Sequence, residues 1–226
     1  MSSSVTAINA DSRPYVPYVA PFAIFMLFTE MGRWLPEWAP WLYAVKTILA
    51  GGLILYWRES FAQDLRPRLE AIQAIEAVAC GILVLAIWIL ADGYLFKLDV
   101  KNGFAPHAMG SEMAAVNALL GIRLLGSSFV VPIMEELFWR SFLMRWLIKP
   151  DFKAVPLGAF TWFSFLATAL LFGLEHNRIV SGIVAGLIYG LLLVRQRNLK
   201  GVILAHMVTN LGLAIHVITT GSWQFW

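Results

Sequence analysis

The stretch PIMEELFWRSF, residues 132–142, sets two carboxylates side by side and an arginine four positions after the second, in a run that otherwise reads as lipid-soluble. An ionised side chain among apolar residues has to be kept from hydrocarbon by a partner or a wet cavity. If the segment is helical, Glu136 and Arg140 are i and i+4, on one face and able to pair. Glu135 lies about 100° round the axis and does not share that geometry. The spacing therefore divides the labour: Arg140 holds Glu136 fixed, and Glu135 is free to face a cavity.

The surroundings are those of a membrane protein. The chain has 226 residues, of which 59% are hydrophobic and only 14% charged, with a mean hydropathy of +0.71. Soluble domains carry about 25% charged residues to cover their surface, and this chain has too few. Its 10 tryptophans suit two interfacial belts. The net charge of +3 comes mainly from Lys and Arg in short connections, which points to membrane orientation and away from nucleic acid. The single Cys80 excludes an intrachain disulfide and reads as packing. The N-terminus has Arg13 as its one basic residue before the first apolar run, unlike a secretory signal peptide, so that run is expected to be retained.

A crossing needs about 20 mainly apolar residues. The runs at 16–34, 41–57, 71–91, 114–134, 158–176, 178–194 and 201–219 meet that need. The second, with Lys46 and the Gly51–Gly52 pair, is the weakest. The expected fold is an all-α, polytopic transmembrane helical bundle of about seven spans, or eight if 92–112 also crosses. It is a single integral membrane domain over 1–226, with a catalytic core at 114–219. Seven crossings put Arg13, Arg58, Arg66, Arg68, Arg145, Lys149, Lys153, Arg195, Arg197 and Lys200 on the side of the N-terminus. Arg33, Lys97, Lys101 and Arg178 fall on the other. The positive-inside rule then expects a cytoplasmic N-terminus and an extracytoplasmic C-terminus.

Two further runs carry polar groups. Phe172 and His176 are four apart at the end of ATALLFGLEHNR, with Glu175 adjacent, and His206 and Asn210 share a face of GVILAHMVTNLGLAIH. Each group is explicable singly, as an interfacial histidine or an interhelical hydrogen bond. Two carboxylates, an arginine, two histidines and an asparagine on three apolar helices exceed what packing requires. A carboxylate whose surroundings bring its pKa toward working pH takes a proton from water. Imidazole orients that water, and His and Asn donate to a tetrahedral oxyanion. The same set also suits Zn²⁺, bound through His176, His206 and a carboxylate with a position left for water. No H-E-x-x-H is present, because Glu175-His176 lacks the following histidine. Both readings stay open from the residues alone.

Three ordered motifs carry a resemblance. Glu135-Glu136-x-x-x-Arg140, Phe172-x-x-x-His176 and the His206/Asn210 pair resemble the EExxxR, FxxxH and final His–Asn motifs of the CPBP family of intramembrane proteases. That family includes the Rce1-type CAAX prenyl endopeptidases. The first 110 residues add only membrane character. In length and arrangement the chain is similar to the CAAX-protease-related proteins that accompany exosortase and PEP-CTERM sorting systems.

The resemblance implies a glutamate-dependent endopeptidase of the inner membrane, acting near the membrane-bound end of a lipidated or transmembrane substrate and needing no cofactor. Older descriptions of the family as metalloproteases would instead imply zinc. It implies Glu135 as general base, His176 as its partner on the water, His206 and Asn210 at the oxyanion, and Glu136, Arg140 and Phe172 in support. A non-catalytic scaffold or chaperone in export is the competing expectation. A transporter would need a repeat or a second intramembrane charge cluster, and neither is evident. One tension remains: a span at 114–134 leaves Glu135 at one bilayer face and His176 at the other. Either the Glu helix runs nearer 121–147, or a helix near His176 is broken.

Overall fold

The computed structural model describes residues 13–98 and 113–226, and within these every regular element is helical. Local chemistry sets most of the ends. Helix α1 (Val16–Trp34) and helix α2 (Ala39–Tyr56) each carry a proline in the first turn, where its missing N–H leaves no bond unmade. Helix α3 (Ala71–Leu90) starts on a capping box between Glu70 and Gln73. Next comes a long helix, α4 (Met113–Trp146). Helix α5 (Trp162–Leu174) is capped by the Thr161 hydroxyl, which accepts from the Ser164 N–H at 3.1 Å. Helix α6 (Ile179–Gln196) precedes α7 (Leu199–Thr220), which opens on Asn198 and stops at Gly221, where φ is +69°.

Five of these helices are long and apolar enough to cross a bilayer: α2 with its preceding turn, α3, α4, α6 and α7. The chain is thus a polytopic helical bundle of membrane character. Large apolar side chains such as Ile72, Ile75, Ile82, Leu90, Leu55, Leu166 and Leu191 face outward. That surface is tolerable against acyl chains, and the helices satisfy their own backbone within them. Exposed Trp34, Trp38 and Trp41 gather where α1 turns into α2, and exposed Trp146 and Trp162 where α4 leads to α5. These are positions for interfacial belts.

The expected edges need correction in two places. The fourth span does not end at residue 134: α4 runs unbroken to Trp146. It contains two π-helical stretches, Gly126–Val130 and Leu137–Leu143, on either side of Val131–Glu136. The first lies just ahead of Pro132, whose ring would crowd the carbonyl four residues back in a regular α-turn. Widening there relieves the crowding and lets the helix continue, so Glu135 sits deep within it. The fifth run is shorter than 158–176, with Glu175 and His176 in the turn after α5. The tension over depth is resolved by the longer Glu helix. Beyond Leu98, the polar connection expected up to residue 112 lies outside the described residues.

Helix α4 is central. It packs on α1, α2, α5 and α7, while α1 pairs with α2, α3 with α7, and α5 with α6. Small residues let α5 and α6 close up: a methyl added at Gly186 would stand 2.9 Å from the Ala169 Cα. At the opposite end of α4 from Met113, Asp64 anchors the connection between α2 and α3. Its Oδ2 accepts from Tyr18 Oη at 2.8 Å, Ser141 Oγ at 2.7 Å and Arg145 Nη2 at 2.9 Å. Arg145, counted among the charges on the side of the N-terminus, is therefore buried in an ion pair.

Candidate active site

The π-helical stretches of α4 and the close approach of α5 and α6 bring the polar groups of three helices to one buried place. Arg140 is fully enclosed, with Nη1 3.1 Å from Glu136 Oε1, the i,i+4 pair that the spacing calls for. Its guanidinium carbon lies 4.3 Å from the centre of the Phe172 ring, and Nη2 reaches the Gly186 carbonyl at 3.5 Å. Phe172 and Gly186 thus give the cation a face and an acceptor that hydrocarbon would not.

His206 of α7 meets α4 at the same carboxylate. Its Nδ1 is 2.8 Å from Glu136 Oε1, while Nε2 is 3.9 Å from Glu135 Oε2. The second separation is too long for a direct hydrogen bond. The ring is held by Tyr189, stacked on it with centroids 5.1 Å apart, and Tyr189 Oη donates to Thr209 Oγ1 at 2.7 Å. Glu135 itself is buried, and its Oε2, like Oε2 of Glu136, has no hydrogen-bond partner among the described residues. A buried acceptor without a partner is unusual enough to need an explanation.

His176 sits beyond Phe172, ring centroids 4.8 Å apart, with Nδ1 2.7 Å from the Phe172 carbonyl. A carbonyl only accepts, so Nδ1 carries the proton and neutral His176 keeps a lone pair on Nε2. Trp88 packs edge-on against this imidazole at 5.4 Å. Asn210 is one turn beyond His206, and its Nδ2 donates to the Ser127 carbonyl in the first π-helical stretch at 2.9 Å. One amide N–H of Asn210 is used there, and one remains.

Glu135, Glu136, Arg140 and His206 therefore come together directly. Phe172 bridges them to His176, and Asn210 binds α4 nearby. Of two further neighbours, the sequence marks Glu175 only in passing and Tyr189 not at all. Glu175 accepts from Trp139 Nε1 at 3.1 Å, adding a third carboxylate to the cluster. Tyr189 is fully buried against His206. Adjacency to His176 was the only signal for Glu175, and nothing in the spacing marks Tyr189. Among the described residues no group of three His, Cys, Asp or Glu side chains is disposed to hold a metal ion. Nδ1 of His206 is engaged with Glu136 and Nδ1 of His176 with a backbone carbonyl, which leaves Nε2 as the open nitrogen of each ring.

The helices that build this cluster, α4 to α7, coincide with a comparison to known families. Residues 117–212 match the model of the family described as type II CAAX prenyl endopeptidase Rce1-like. Over this part of its length the chain matches the Rce1-like CAAX proteases. The matched stretch runs from within α4 to within α7 and includes Glu135, Glu136, Arg140, Phe172, Glu175, His176, Tyr189, His206 and Asn210. No curated protein and no solved structure matches the chain.

Proposed function

We propose that the chain is an intramembrane endopeptidase that hydrolyses a peptide bond near the membrane-bound end of a lipidated or transmembrane substrate, using water activated by Glu135. The observation that carries this reading is the unpartnered, buried Oε2 of Glu135, facing His206 Nε2 at 3.9 Å beside a carboxylate–arginine clamp. In the proposed step Glu135 takes a proton from water as the oxygen attacks the scissile carbonyl. The lone pair on His176 Nε2 orients the same water. The free N–H of Asn210, and Nε2–H of His206 in its imidazolium form, donate to the oxyanion. Glu136 stabilises that imidazolium through Nδ1–H, and Arg140 holds Glu136. Protonated Glu135 then returns its proton to the leaving amine as the C–N bond breaks.

The Rce1-like match supports this reaction class and a substrate that is itself bound to the membrane. The seven-span arrangement in the inner membrane, with a cytoplasmic N-terminus, belongs to the same proposal, as does the core at 114–219. The likeness in length and arrangement adds exosortase-type sorting machinery as a partner. Purified chain in proteoliposomes, given an S-farnesyl peptide ending in a C-a-a-X sequence, should release the C-terminal fragment, and Glu135→Gln should not. Processing that persists in the variant sinks the glutamate mechanism, and no release by the wild-type chain favours the scaffold.

A further inference from the structure

Lys46 is only 7% exposed, in the middle of α2, and among the described residues it forms no ion pair. Its Nζ donates to Thr29 Oγ1 at 2.6 Å and lies over the rings of Phe25 at 4.0 Å and Tyr43 at 4.9 Å. A hydroxyl and two aromatic faces soften the loss of water but leave the charge unmatched, and two N–H groups remain to donate. A buried ammonium in an apolar helix without a carboxylate is costly, and marks a place where an anion binds.

The position is informative. Helices α2 and α4 run side by side in the same direction: Gly126 faces Thr47, Gly51 faces Val130, and Tyr43 Oη reaches the Arg123 carbonyl. In that register Lys46 is level with Leu125, about ten residues or roughly 15 Å from Glu135 at about 1.5 Å per residue. From Lys46 toward Glu135, Phe25, Ala50 and Met134 belong to one apolar cluster. A C-a-a-X terminus cut beside its lipid-bearing cysteine leaves three residues before the terminal carboxylate, an extended length of about 10 Å. The flexible lysine stem covers the difference, and the apolar cluster suits two aliphatic side chains. We propose that Lys46 is a specificity residue that binds the free C-terminal carboxylate of the substrate. This rests on the peptidase reading for its choice of ligand.

The test compares an S-farnesyl peptide ending Cys-Val-Ile-Met with the same peptide as its C-terminal amide. Binding is measured in Glu135→Gln, so that turnover cannot intervene, and hydrolysis in the wild-type chain. The acid should bind about tenfold tighter than the amide, as for loss of one charge-assisted hydrogen bond. Adding Lys46→Met should reduce acid binding to the level of the amide, and adding Lys46→Arg should keep the preference. Equal or undetectable binding of the two peptides to Glu135→Gln, or a preference that survives Lys46→Met, overturns the proposal. An ammonium serving a lipid phosphate instead would give the equal-binding result. A clear preference without hydrolysis of either peptide would retain the carboxylate site and sink the peptidase reading alone.

Discussion

His206 Nδ1 stands 2.8 Å from Oε1 of Glu136, the same oxygen that Arg140 reaches at 3.1 Å. One carboxylate thus orients both an imidazole and a guanidinium from two helices, and the neighbouring carboxylate of Glu135 keeps an Oε2 with no hydrogen-bond partner among the described residues. Removing Glu136 would leave Arg140 and His206 facing each other without the anion between them. Removing the charge of Glu135 disturbs no ion pair shorter than 3.9 Å. The two adjacent glutamates should respond differently to the same substitution.

Glu135→Gln is expected to abolish hydrolysis with little loss of folded protein, since the amide keeps the size but is no general base. Glu136→Gln should lose activity together with stability, because breaking a buried pair typically costs about 3–5 kcal/mol. Arg140→Leu should behave like Glu136→Gln. Melting temperature and turnover measured for all three in one detergent decide this. A stable, inactive Glu136→Gln beside an unstable Glu135→Gln would reverse the roles.

Much of this site was legible in the sequence for physical reasons. The i,i+4 spacing fixes the Glu136–Arg140 pair wherever the segment is helical, and a charge in an apolar run announces itself. The extent of α4 was not legible. Hydropathy ends a span where charges begin, but Glu135, Glu136 and Arg140 are buried against other helices, and the helix passes through them. The pairing of Arg145 was not legible either, because its partner Asp64 is distant in sequence and no local pattern joins them. Glu175 needed the fold to bring Trp139 against it.

Metal dependence is open to a direct test. With Asn210 beside His206 where a third strong ligand would be needed, the purified chain is expected to hold no stoichiometric zinc, and chelators should leave turnover largely unchanged. Elemental analysis of active protein checks this. One zinc per chain, with activity lost on its removal and restored by its return, would replace the glutamate-only mechanism by a metal-assisted one.

Asp92 gives a prediction in pH. Just past α3 it accepts from Lys97 Nζ at 2.8 Å and Arg178 Nε at 2.9 Å. Burial works to raise its pKa, but the bonds and charges of Lys97 and Arg178 outweigh burial and hold the carboxyl below its ordinary 3.8. A depressed carboxyl pKa contributes stability that is complete above the unfolded value and lost as pH falls through the folded one. The melting-temperature advantage of wild type over Asp92→Asn should therefore be constant between about pH 5 and 6 and shrink below about pH 4. An advantage that grows in acid would show that the pairing does not stabilise the fold.

The Asp64 cluster should behave as a structural lock separate from the chemistry. Asp64 Oδ2 receives Tyr18 of α1 together with Ser141 and Arg145 of α4, so one oxygen ties the α2–α3 connection to two helices. Arg145→Met leaves a buried carboxylate with only two hydroxyl donors, and breaking such a pair costs about 3–5 kcal/mol. Adding Asp64→Leu removes the stranded charge. It leaves the hydroxyls of Tyr18 and Ser141 without that acceptor, at about 1–3 kcal/mol each if no other is found. Tyr18 still has the Ser60 carbonyl at 2.9 Å, so the double variant should recover part of the lost stability but not all. Thermal unfolding in detergent of the single and double variants measures this. Turnover per folded molecule should stay near wild type in both, since no member of the cluster bonds to Glu135, Glu136 or His206. A double variant less stable than Arg145→Met alone would mean that hydroxyl bonds to Asp64, and not the ion pair, hold this end of the bundle.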